Sequence, residues 1–105
     1  MKVLIDNSVH LAIQDFYEYA KKKYISLDPI TVIRKINRIY EGLYDLGKYA
    51  FVCPTPRLRK DWLDLNYKEC IIEDFHFAFQ IYSDDDTKEY YVYVHDVCHS
   101  LTYHE

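Results

Sequence analysis

Two alternating runs near the end of the sequence constrain the fold more than any other feature. They cover residues 75–82 and 90–99, and the polar segment 83–89 separates them. Within each run, apolar residues alternate with His, Gln or Tyr, a period of two that is typical of a strand buried on one face. We therefore predict a β-hairpin with one apolar face and one polar face. The polar face carries His76, Gln80, Tyr91, Tyr93 and His95.

The first half of the chain has helical periodicity instead. Apolar residues recur every three or four positions over residues 8–24 and again over residues 28–47, which predicts two amphipathic helices. Asn7 or Ser8 is expected to cap the first helix, and the Asp28-Pro29 pair favours the start of the second. Because the connection between them is short, we predict that the helices are antiparallel neighbours.

The remaining segments complete an α+β pattern, in which helices follow helices and strands follow strands. Residues 2–6 are predicted to form a short strand, and residues 62–67 and 69–72 one bent strand or two short ones, after an irregular segment at 48–61. We expect one domain over residues 1–105, with both helices on one face of a mainly antiparallel, roughly four-stranded sheet. The other face should be open to solvent.

Composition excludes some functions and favours others. The net charge is −4, which argues against a protein that coats nucleic acid through a bulk positive field. The chain has 12 tyrosines, a residue enriched at interfaces although strands also use it as ordinary filler. Three widely spaced cysteines and the lack of a long apolar run predict reduced thiols, a cytoplasmic location and no membrane association.

The order of these elements, together with four segments, resembles the RelE/ParE superfamily of bacterial toxins. The segments are 36–46 in the second helix, Arg57-Leu-Arg59, Phe75-His-Phe-Ala-Phe79, and 92–99 followed by Tyr103. In that superfamily, toxins either cut messenger RNA in the ribosome or poison DNA gyrase, and a cognate antitoxin peptide silences them. The resemblance therefore implies the toxin of a type II toxin–antitoxin system. Its implied partners are an antitoxin peptide and either the ribosome with its mRNA or DNA gyrase.

Metal-independent RNA cleavage requires a base, an acid and cations near the reacting phosphate. The candidate proton-transfer residues are His76, His95, His99 and Tyr103, and the candidate RNA-binding residues are Arg57, Arg59, Lys60, Tyr91 and Tyr93. The alternative is that the histidines are polar residues of a solvated strand face and the basic cluster is a solvated loop. No cofactor or metal is expected, because His95 and His99 on one strand would be roughly 13 Å apart.

A second function from a different class is a non-catalytic module that docks a partner on the polar face or at a sheet edge. His76 and Ser100 stand where the superfamily commonly has arginine, which removes two phosphate contacts. The position of the basic side chains relative to the histidines discriminates between the two functions. Convergence of the basic residues beside His76 and His95 would favour RNA cleavage, whereas a face of tyrosines and acids would favour docking.

Overall fold

The computed structural model describes residues 1–23 and 28–100. The predicted α+β class is confirmed. The elements, in chain order, are β1 (Lys2–Ile5), α1 (Asn7–Lys23), α2 (Pro29–Asp45), two short 3-10 turns (Leu46–Lys48 and Ala50–Val52), α3 (Lys60–Asp64), β2 (Lys68–Ile72), β3 (Phe75–Ser83) and β4 (Tyr90–His99). No helix among the described residues is long and apolar enough to cross a membrane.

The four strands form one mixed sheet in the order β1-β4-β3-β2. The predicted hairpin of β3 and β4 is confirmed, and β2 is also antiparallel to β3. However, β1 pairs parallel to β4, with Val3 opposite Val92 and Ile5 opposite Val94. The two central strands therefore carry the antiparallel hairpin, and each has one outer strand as its neighbour.

Helix caps were predicted correctly for α2 and incorrectly for α1. The Asp28 carboxylate accepts a hydrogen bond from the Ile30 amide at 3.1 Å, and Pro29 occupies the first turn. At α1 the cap is Asp6 rather than Asn7 or Ser8, because its carboxylate accepts from both the amide and the hydroxyl of Ser8. An acidic side chain accepts from first-turn amides as well as Ser or Asn does.

The main core lies between the helices and one face of the sheet. Its fully buried members come from both helices, the two 3-10 turns after α2 and the apolar face of the hairpin: Val9, Ile39, Leu43, Leu46, Ala50, Phe77, Phe79, Val92 and Val94. Alternation in the hairpin and helical spacing in α1 and α2 place these side chains on facing surfaces. Burying an apolar side chain of this size stabilises the fold by about 1.5–3 kcal/mol.

The prediction that residues 62–67 form a strand is wrong. Residues 60–64 form a single helical turn, closed by hydrogen bonds from the Leu63 amide to the Arg59 carbonyl and from the Leu65 amide to the Asp61 carbonyl. The chain then reverses at Asn66, whose φ is 60°. The alternating leucines imitate a strand, but Asn readily adopts this left-handed conformation and marks a turn. The predicted strand at 69–72 is confirmed and begins at residue 68.

The second face of the sheet is not open, contrary to the prediction. The Trp62 side chain is fully buried on this face, where its indole N–H donates to the Asp96 carboxylate at 2.9 Å. Ala78 is fully buried as well. The Gln80 amide donates to the Leu65 carbonyl at 2.9 Å, which fixes the turn after α3 against the sheet. The segment around α3 therefore covers the centre of the polar face.

A β-bulge in β4 reverses the alternation of its side chains. Ala78 lies opposite Asp96 and Phe79 lies opposite Val94, so His95 is the extra residue. An extra residue shifts the following side chains to the other face. As a result, His99 is on the helix-facing side, where its ring stacks on Phe16 with centroids 4.5 Å apart.

Candidate functional site

The polar face of the sheet carries a packed group of aromatic side chains, which we call the tyrosine cluster. It consists of Tyr67, Tyr82, Tyr91, Tyr93 and His95. The His95 ring stacks on Tyr67 with centroids 4.8 Å apart and planes 8° apart, and its centroid is 4.7 Å from that of Tyr93. Tyr82 stacks on Tyr91 at 5.6 Å. All five side chains are half-buried, so each presents part of its ring to solvent.

A chain of hydrogen bonds fixes the tautomer of His95. The Gln80 amide nitrogen donates to the Leu65 carbonyl, so the Gln80 oxygen is the group that accepts from the Tyr82 hydroxyl. The Tyr82 oxygen is then left to accept from His95 Nε2, which lies 2.8 Å away. His95 is therefore protonated on Nε2, and its basic lone pair is on Nδ1. Burial lowers the pKa of His95, which favours the neutral ring.

An ionised carboxylate lies beside the tyrosine cluster. The Tyr93 hydroxyl donates to Asp6 at 2.7 Å, and the Ser8 hydroxyl and amide donate to the same carboxylate. The Ser8 hydroxyl makes the largest contribution and Tyr93 the next, and together they lower the pKa of Asp6 to about 2. The same bond raises the pKa of Tyr93. This part of the face is therefore acidic at neutral pH.

Arg59, a predicted phosphate ligand, is held by carboxylates instead. Its Nε and Nη2 atoms donate to both oxygens of Asp61 at 2.9 and 2.6 Å, and Nη2 lies 3.9 Å from Asp96. The guanidinium also lies over the Trp62 ring, 4.5 Å from its centroid. The hydrogen bond with Asp61 is the main cause of its raised pKa. Lys60 is exposed on α3. The charge of Arg59 is therefore largely compensated within the protein.

Arg57 and His76 line one cleft, which has a volume of about 690 Å³ at the edge of β2. Glu69 also lines it, and its oxygen lies 3.3 Å from His76 Nδ1. Glu69 is only 5% exposed, which is unusual for a carboxylate. The cross-strand pairs of Glu69 with Ala78 and of Ile71 with His76 explain the contact, because these residues share one face of the β2–β3 pair.

The structure does not bring the predicted proton-transfer residues together. His76 pairs with Glu69 at the cleft, His95 belongs to the tyrosine cluster, and His99 faces the helices against Phe16. Although regular alternation would place His95 and His99 on the same face of β4, the bulge at His95 places them on opposite faces. Tyr103 lies outside the described residues. Within residues 1–23 and 28–100, no three His, Cys, Asp or Glu side chains are grouped to hold a metal ion.

Tyr91 and Tyr93 lie on the polar face of the hairpin as predicted, but other residues of the two sites were not anticipated. These are Asp6, Tyr67 and Asp96 around the tyrosine cluster, and Glu69 in the cleft. Asp96 had a visible signal, since apolar residues recur at 92, 94 and 97 and the spacing changes from two to three. Tyr67 had no comparable signal, because its position depends on the turn after α3.

Comparisons with protein families, curated proteins and solved structures find no match. The resemblance to RelE/ParE toxins stays a prediction.

Proposed function

We propose that the chain is a non-catalytic docking module of RelE/ParE type, which binds a partner protein through the tyrosine cluster. The observation that supports this proposal best is the composition of the polar face. Half-buried tyrosine rings lie beside the ionised carboxylate of Asp6, and Arg59 is neutralised by Asp61. Tyrosine combines large contact area with a polar tip, which suits protein–protein contacts. We also propose that α1 and α2 are antiparallel to each other and cover the opposite face of the sheet.

The charge of this face favours a partner segment with basic and apolar side chains. Asp6 supplies an ionised carboxylate beside the cluster, and the whole chain has a net charge of −4. Opposite charges across an interface accelerate association and exclude partners of the wrong charge. An antitoxin peptide or a surface of DNA gyrase with this chemistry would meet the requirement.

RNA cleavage remains the second candidate, supported by one observation. Arg57 and His76 line the same cleft, and Glu69 could act as the carboxylate partner of the histidine. The positive charge available at this cleft is small, because Arg59 is paired with Asp61. A developing phosphorane charge is normally stabilised by several donors or cations. We therefore rank docking above RNA cleavage.

Induced expression separates the two candidates. The chain is expressed in bacteria with and without the small gene adjacent to its own, and both growth and messenger RNA integrity are measured. Docking predicts growth arrest with intact messages, relieved by coexpression of the neighbouring product. Tyr91→Ala should relieve the arrest, whereas Tyr19→Ala should not, because Tyr19 is exposed on α1 away from the cluster. Arrest with cleaved messages would support RNA cleavage, and no arrest would contradict both RNA cleavage and docking to an essential target such as DNA gyrase.

A further inference from the structure

The cleft at the edge of β2 has the features of a small-molecule site. The chain that follows α2, from the two 3-10 turns to Pro54, runs along the edge of β2. There the Glu69 amide donates a hydrogen bond to the Pro54 carbonyl at 2.9 Å. Lys68 donates to the carbonyls of Phe51 and Cys53, which holds the same segment against the strand. The volume of about 690 Å³ falls within the range typical of sites for small organic ligands.

The walls of the cleft are apolar and incompletely covered. Tyr49 is 40% exposed, Leu58 is 45% exposed and Ile71 is 62% exposed, and all three line the cleft. An apolar ligand that covered these side chains would remove apolar surface from water, which favours binding. The walls therefore select a ligand with an apolar body.

The ionisable groups of the cleft select the other part of the ligand. Glu69 is nearly buried, and its carboxylate oxygen lies 3.3 Å from His76 Nδ1, so this carboxylate already has a hydrogen-bond partner within the protein. Arg57 is exposed, and among the described residues no side chain or carbonyl forms a hydrogen bond or ion pair with it. Arg59, two positions away, is bound by Asp61. Arg57 is thus the cation of the cleft that a ligand can reach.

We propose that this cleft binds an organic monocarboxylate with an apolar body, with the carboxylate on Arg57 and the body against Tyr49, Leu58 and Ile71. One guanidinium matches one carboxylate through two parallel hydrogen bonds. An RNA strand fits less well, because its successive phosphates need several cations, whereas a single carboxylate needs one. The ligand could be a free acid or the carboxyl terminus of a peptide, since the recognised chemistry is the same. This site is separate from the tyrosine cluster and does not depend on the docking function.

Binding is tested by titrating the ¹⁵N-labelled chain and following amide shifts of residues in the cleft. The probes are hexanoate with its neutral analogue hexanamide, and the peptide Gly-Gly-Leu as free acid and as amide. We expect hexanoate to bind with a Kd of about 1 mM, as befits a ligand of this size. Each acid should bind more tightly than its amide. A preference for the peptide acid over hexanoate would identify a chain terminus as the ligand, and the reverse order would identify a free acid.

Two arginine variants provide the matched comparison. Arg57→Gln should weaken hexanoate binding about fivefold, the upper end of what a solvent-exposed ion pair contributes. Arg59→Gln should leave binding unchanged, because its charge is engaged by Asp61. Ile71→Thr keeps a β-branched residue in the strand and should weaken the binding of hexanoate and of hexanamide by the same factor.

Three results would overturn the proposal: equal binding of acid and amide, an unchanged Kd in Arg57→Gln, or no amide shift up to about 10 mM ligand. A short oligoribonucleotide that binds more tightly than hexanoate and depends on Arg57 would also overturn it.

Discussion

Trp62 offers the sharpest test of how the second face of the sheet is covered. Its side chain is fully buried, its N–H donates to Asp96 at 2.9 Å, and Arg59 lies over its ring. Trp62→Ala removes all three contacts, and a truncation of this kind costs about 3–5 kcal/mol. Trp62→Phe keeps most of the apolar area and loses the hydrogen bond, for which we expect about 1–2 kcal/mol because Asp96 remains half-exposed to water.

Urea unfolding followed by far-UV circular dichroism measures these differences without using tryptophan fluorescence. With a slope of about 2 kcal/mol per M, the midpoint should fall by about 2 M for Trp62→Ala and by less than about 1 M for Trp62→Phe. Leu63→Ala is the matched control, since its side chain is 42% exposed on the same helical turn. It should change the stability by about 0.5 kcal/mol or less.

The combined variant Trp62→Phe, Asp96→Ala isolates the hydrogen bond. If the two groups interact as described, the cost of the double variant should be smaller than the sum of the single costs by about 1 kcal/mol. Strict additivity would show that the indole and the carboxylate are not paired. A Trp62→Ala midpoint equal to that of Leu63→Ala would refute the conclusion that α3 covers the sheet.

Two further predictions concern Asp6 and the glycines. The lowered pKa of Asp6, about 2 against an ordinary value of 3.8, means that its stabilising contribution is complete above about pH 4 and is lost as the pH falls through 2. Asp6→Asn should therefore lower the urea midpoint at pH 7, and the difference from wild type should shrink toward pH 2; a constant difference would contradict the assignment. Gly47→Ala should destabilise the fold by about 1–3 kcal/mol, because the added Cβ would lie 2.1 Å from the Met1 carbonyl oxygen. Gly42→Ala should also lower the midpoint of thermal unfolding, but by less than Gly47→Ala, because its Cβ would lie 2.7 Å from Cγ2 of Ile72, a side chain that can shift more easily than a backbone carbonyl, and because alanine favours the helix; equal losses in both variants would contradict this reasoning.

Periodicity predicted the main elements because local side-chain patterns determine them. The apolar stripe of α2 and the alternation of β3 each depend on residues a few positions apart, and both elements were found. Asp28-Pro29 likewise acts through its own first turn. The parallel pairing of β1 with β4 could not be predicted this way, since the alternation of a short strand does not specify its neighbour.

The candidate site was harder to predict because it depends on two tertiary events. The bulge at His95 places this ring and that of His99 on opposite faces, although the two residues are four positions apart, an offset that puts side chains of a regular strand on one face. The turn of α3 carries Trp62 and Tyr67 onto a face that was expected to be open. Charge was also misjudged, because counting Arg59 as available ignored the neighbouring Asp61. Sequence patterns name ionisable residues, but only tertiary contacts determine which of them can bind a ligand.

The parallel pairing of β1 with β4 has a consequence for how the chain folds during synthesis. Val3 and Ile5 acquire their sheet neighbours only from Val92 and Val94, so β1 cannot complete the sheet until β4 has been made. Contacts between such distant segments slow folding, because the intervening chain must be ordered first. On the ribosome, α1 and α2 emerge while their strand partners are still absent, and their apolar faces remain exposed for that interval. We therefore expect the sheet to close only after β4 has been synthesised, as a late step of folding.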